Sequence, residues 1–95
     1  MSAARQANVT SRTIKTVVHF SSEFLLSGFD GPQRPGDYRV DHDEEQIQDL
    51  SRIAWRRVGA YIHLPAIGSA GTTMRMVPIN IDELDRALKK DLAQL

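Results

Sequence analysis

Twelve basic and twelve acidic residues in a chain of 95 cancel to zero net charge, so no overall field draws it toward nucleic acid or anionic lipid. The absence of cysteine excludes disulfides, thiolate zinc sites and cysteine nucleophiles. With 41% hydrophobic and 25% charged residues the composition is that of a globular chain, and this length supports one hydrophobic core.

Residues 1–12 carry Arg5 and Arg12 without an acid and lack the apolar stretch of a secretory signal. They are expected to form a disordered N-terminal arm ahead of one α+β domain over residues 13–95. No apolar run reaches membrane-spanning length, and a cytoplasmic protein with no membrane contact is expected.

Thr13 to Phe20 alternate with period two and are rich in β-branched residues, which predicts a first strand. Ser21, Ser22 and Glu23 interrupt it before Phe24, Leu25 and Leu26 resume, as a bulge or a bend would. Gly28 to Asp37 gathers Gly28, Gly31, Pro32, Pro35 and Gly36 into a loop. It matches neither a phosphate-binding nor a dinucleotide-binding glycine motif and reads as a hairpin loop.

Tyr38, Val40 and His42 then alternate with Arg39, Asp41 and Asp43 in a second strand. Asp43 to Ala54 admits two courses. Asp43 with Gln46 could cap a short helix, or the strand could continue and turn near Gln48 to Ser51; the hairpin is favoured. Val58, Ala60, Ile62 and Leu64 mark a third strand ended by Pro65, and Thr72 to Val77 a short fourth strand at an edge.

Asn80 stands as an N-cap with Glu83 three residues on, and Ile81, Leu84, Leu88, Leu92 and Leu95 recur at helical spacing. A helix this short is marginal alone in water, so its stripe must be buried on the sheet. The expected architecture is a four- to five-stranded antiparallel meander, curled toward a small barrel or open, with one C-terminal helix packed on it.

Alternation then divides the sheet into two faces. Ile14, Val18, Phe20, Tyr38, Val40, Val58, Ala60, Ile62, Leu64, Met74 and Met76 are expected under the helix. The opposite face collects Lys15, His19, Arg39, Trp55, Arg57, Tyr61, His63 and Arg75. Guanidinium groups bind carboxylate and phosphate bidentately, and Trp and Tyr offer flat amphipathic surfaces, so Arg39, Trp55, Arg57, Tyr61, His63 and Arg75 are the candidate binding residues. Arginine and tyrosine are also the ordinary solvent coat of an antiparallel sheet.

Short motifs add a resemblance. Gly28-Phe29-Asp30, Pro35-Gly36-Asp37-Tyr38-Arg39-Val40, Arg56-Arg57 and Ile62-His63-Leu64-Pro65 together resemble a family of short hypothetical proteins of proteobacteria, chiefly rhizobial relatives. The resemblance spans most of Phe20 to Leu64. It implies a bacterial cytoplasmic origin and brings no activity, cofactor or site residue with it.

No catalytic signature surrounds His19, Ser21 or Ser22, and no catalytic residue, metal ligand or cofactor is expected. The leading expectation is a non-enzymatic binding or accessory module that meets a protein partner, or a copy of itself, through a sheet face or edge strand. The alternative is a nucleic-acid or anion binder acting through Arg39, Arg57, Arg75 and Tyr61. A third reading, a metal-dependent hydrolase on Asp41, His42 and Glu44, fits no standard metal spacing.

Overall fold

A computed structural model of the chain describes residues 10–48, 52–69 and 73–95. Four strands, β1 (Ser11–Phe20), β2 (Gly36–Gln48), β3 (Ile53–Leu64) and β4 (Arg75–Pro78), pair antiparallel in the order β1-β2-β3-β4, followed by α1 (Ile81–Ala93). The α+β meander with one C-terminal helix is as expected. The sheet is open and not closed into a barrel, so β1 and β4 are both edge strands.

Strand boundaries move at several places. Ser11 and Arg12 belong to β1, opposite Glu45 and Glu44, and not to an N-terminal arm; residues 1–9 of that arm lie outside the described residues. Asp43 to Gln48 continue β2 and Ile53 opens β3, which settles the hairpin over the helix; its turn at 49–51 is outside the described residues, as are residues 70–72 before β4. After Phe20 the chain bends out of β1, and Phe24 rejoins Gln33 in an isolated bridge, its N–H 3.0 Å from the Gln33 carbonyl.

A β-bulge decides the faces. β2 and β3 pair in uniform register from Val40↔Ile62 to Asp43↔Gly59, and then Glu44 faces Arg57, leaving Val58 unpaired. The extra residue reverses the alternation of everything before it in β3. Val58, expected in the core, is 47% exposed. Trp55 and Arg57 turn to the side of the sheet that carries the helix, opposite Gln46 and Glu44.

The register of β4 produces the other correction. Ile62 stands opposite Val77, so Val77 is buried while Met74 and Met76, expected inside, are exposed. Arg75 faces Leu64 on the helix side, not the opposite face. Ile14 has the expected orientation but is half-exposed, because it lies toward the β2–β3 turn, away from the helix.

The core is built around aromatic rings at the other end of the sheet. Phe20 and Phe24 stack with centroids 3.6 Å apart, and Tyr38 meets both edge-on. The Tyr38 hydroxyl satisfies itself by donating to the Arg34 carbonyl at 2.6 Å, which is what a buried phenol requires. Val40, Ile62, Leu64, Val77 and Leu84 complete the cluster. Gly36, with φ of 151°, is where the loop enters β2; a Cβ there would come within 3.2 Å of the Ala66 methyl, so the position favours glycine on two counts.

The helix is held at both ends. Asn80 Oδ1 accepts the Glu83 N–H at 3.0 Å, but the Glu83 carboxylate does not close a capping box. It instead accepts the Ser27 N–H and hydroxyl, tying the helix start to the loop. At the far end buried Asp91 accepts from the Ser21 N–H, the Ser22 N–H and the Ser22 hydroxyl, at 2.8, 3.0 and 2.8 Å. Those bonds, led by the Ser21 N–H, hold its carboxyl below the usual carboxylate range. The expected stripe packs through Ile81, Leu84 and Leu88 only; Leu92 and Leu95 are 67% and 80% exposed. Leu84 is the fully buried anchor, and Leu84→Ala should cost about 2–5 kcal/mol. Urea unfolding checks this, and a loss below about 1 kcal/mol would mean that the helix is not docked as described.

Candidate functional site

The six candidate binding residues do not form one surface. Arg39, Tyr61 and His63 share the helix-free face with Lys15, Val17, His19, Asp37, Asp41, Asp43 and Met76, as the pairings of Val17↔Arg39, Asp41↔Tyr61 and His63↔Met76 require. Trp55 and Arg57 lie on the other side by virtue of the bulge. Arg75 lies beside the loop, its guanidinium 3.2 Å from Asp30.

On the helix side, toward the β2–β3 turn, Glu44 organises a small cationic cluster. Its carboxylate is 2.8 Å from Arg12 and 3.7 Å from Arg57. Arg12 also lies over the Trp55 ring, 3.9 Å from its centroid, a cation–π contact. The aromatic face and both guanidinium groups are therefore already engaged within the chain. A stacking platform for a nucleobase would need Trp55 uncovered.

The helix-free face is equally self-compensating. His63 Nε2 is 2.9 Å from Asp41 Oδ2, and His19 Nδ1 is 2.7 Å from Asp37 Oδ1. An ionised carboxylate only accepts, so these ring nitrogens carry the protons. Asp41 is buried between the flanking strands, opposite Lys15 on one side and Tyr61 on the other. Among the described residues its Oδ1 has no hydrogen-bond partner, and it is shielded from solvent. The Tyr61 ring leans over Gly59, which has no side chain to displace it. Among the described residues, His19 and His63 each bond to a carboxylate, and no hydroxyl is bonded to either ring.

The Asp41, His42, Glu44 trio is divided in the same way. Asp41 points to one face while His42 and Glu44 point to the other. Among the described residues no three His, Asp or Glu side chains are grouped to hold a metal ion. A shallow cleft of about 230 Å³ between α1 and the bend after β1 is lined by Phe20, Phe24, Ala87, Lys90 and Asp91. It is smaller than the sites that enclose a drug-sized ligand, and the Asp91 carboxylate is occupied by the serines.

Among the described residues, no strand pairs with the outer side of β1. The Gln46 N–H bonds to the Thr10 carbonyl at 2.8 Å, one step beyond the Ser11↔Glu45 pairing. In an antiparallel ladder hydrogen-bonded and non-bonded pairs alternate, so the even residues of β1 bond to β2. The N–H and C=O groups of Ser11, Thr13, Lys15, Val17 and His19 consequently point away from the sheet. Their strand contains no proline and no bulge, two of the devices by which edges are usually blunted; Lys15 is such a device that it does carry. Sequence alternation could identify β1, but the strand order that makes it an edge was not readable locally.

His42 sits buried under the Arg57 and Glu44 end of the helix-side surface, its Nδ1 without a partner among the described residues. Burial, and then the Arg57 charge, lower its pKa from 6.5; Glu44, Asp85 and Asp41 oppose the shift. The unfolded chain therefore takes up this proton more readily than the folded one. The neutral-His42 contribution is complete above pH 6.5 and declines as pH falls below it. Urea midpoints of the native chain and a His42→Asn variant should converge on acidification, with the native chain losing more; parallel curves would contradict the assignment. No protein-family model matches the chain, and no curated protein or solved structure is significantly similar to it.

Proposed function

We propose that the chain is a non-catalytic protein-binding module that accepts an extended segment of a protein along β1. The supporting observation is the row of five outward-pointing backbone donor and acceptor pairs at Ser11, Thr13, Lys15, Val17 and His19. An added antiparallel strand satisfies such a row with main-chain hydrogen bonds, and alternate side-chain positions supply selectivity. Val17, 59% exposed, and Lys15 flank the edge on the helix-free face; Ile14 flanks it on the other.

Anion or nucleic-acid binding has less behind it. Of its four residues, Arg57 is engaged by Glu44 and Arg75 by Asp30, and only Arg39 and Tyr61 share a face. The bacterial cytoplasmic setting implied by the motif resemblance is compatible with either reading.

Val17→Pro separates the edge from the fold. The Val17 N–H points outward, so proline at this edge position removes an external donor and spares the ladder to β2. Immobilised chain should retain protein, from its own solution or from an extract of its source cells, and Val17→Pro should weaken that retention about tenfold or more. Equal retention by a variant with unchanged circular dichroism and thermal midpoint would contradict the reading.

A further inference from the structure

Resting on the β1 reading above, we infer that the occupant of this edge is a second copy of the same chain, joined β1 to β1 about a two-fold axis through Thr16, so that the two meanders form one eight-stranded sheet. The register follows from three constraints. The outward residues are odd-numbered, so hydrogen-bonded pairs must join odd to odd. Centring on Lys15 would set lysine against lysine, an unfavourable like-charge pair; centring on Ile14, Val17 or Val18 would leave His19 and Phe20, or Thr13, opposite residues outside the partner's β1.

Centring on Thr16 avoids both. Lys15 then faces Val17, Thr13 faces His19, Ile14 faces Val18, Thr16 faces Thr16 and Arg12 faces Phe20 of the second copy. Thr13, Lys15, Val17 and His19 all enter hydrogen-bonded pairs, while the β-branched residues Ile14, Thr16 and Val18 form the close, non-bonded ladder on the helix side. Within the chain Arg12 is paired with Glu44, His19 bonds to Asp37, and Lys15 stands opposite Asp41 in the register. Arg12 and His19 are thus already engaged within the chain, which favours β1 itself over an acidic peptide.

The helix supplies an independent observation. It starts beside β4, after Val77 and Ile79, and its last polar anchor is Asp91 on Ser21 and Ser22, just past the end of β1. Leu92 in the last turn and Leu95 just past the helix follow that anchor, are 67% and 80% exposed and stand outside the core cluster. In the Thr16-centred pair the strand continuing the sheet there brings Arg12 and Ile14 of the second copy beneath them. Ile14, itself 37% exposed on that side, acquires the cover its own helix does not reach.

Sedimentation equilibrium should give a species of twice the 10.7 kDa chain mass, with the dissociation constant raised about tenfold or more in Val17→Pro. Because the chain has no cysteine, single substitutions report the register. In Thr16→Cys the paired Cα atoms would be about 4.5 Å apart, within disulfide range, and mild oxidation should crosslink the dimer. In Thr13→Cys the two sites would be about 20 Å apart and should not crosslink. Efficient crosslinking by Thr13→Cys, or a dimer untouched by Val17→Pro, would overturn the inference. A chain that stays monomeric at millimolar concentration, yet binds another protein in a Val17→Pro-sensitive way, would refute self-association and leave the β1 reading standing; loss of both would remove both.

Discussion

The antiparallel register of β2 with its two neighbours is the constraint on which the rest of this molecule depends. Pairing with β1 in one unbroken register fixes which backbone groups of β1 face outward. Pairing with β3 fixes, through the single unpaired residue Val58, which side chains share a face. Because the side-chain period of a strand is two, one extra residue reassigns every position beyond it. Trp55 and Arg57 are beside Arg12 and Glu44, and not beside Tyr61 and His63, for that reason alone.

The same constraint divides the sheet into a packed end and a bare end. The aromatic cluster of Phe20, Phe24 and Tyr38, with Leu84 above it, stabilises the end near the loop. The bonds from Ser21 and Ser22 to Asp91, and from Ser27 to Glu83, hold the helix over that end. Toward the β2–β3 turn, the side chains are instead linked by ion pairs and a cation–π contact. Exposed pairs of this kind contribute little to stability each; their consequence is that the arginines and the tryptophan are not free for a ligand. Among the described residues, the longer of the two sheet edges left without a neighbouring strand is the outward side of β1.

Much of the fold was legible in the residues. Period-two runs marked β1, the start of β2 and the end of β3, and Asn80 with the leucine stripe marked the helix. The hairpin across Asp43 to Ala54 was the favoured course there. Local pattern failed where a non-local choice decided. Val58 looks like one more inward β-branched residue, and only the competition between registers makes it a bulge. Met76 and Val77 are both apolar, so alternation could not say which faces Ile62. Of the candidate site, Arg39, Tyr61 and His63 were placed on the expected face, while Trp55, Arg57 and Arg75 were not. The edge character of β1 requires the strand order, which no stretch of sequence encodes by itself.

Residue-resolved amide hydrogen exchange across a dilution series tests the central claim most directly, because it reads the two sides of β1 separately. The account expects Arg12, Ile14, Thr16 and Val18 to be protected at every concentration, and Thr13, Lys15 and Val17 to gain protection only as the chain is concentrated. Protection of the odd-numbered amides that is already complete at high dilution would contradict an open edge. Rapid exchange of those amides at every concentration would contradict its closure by a second copy.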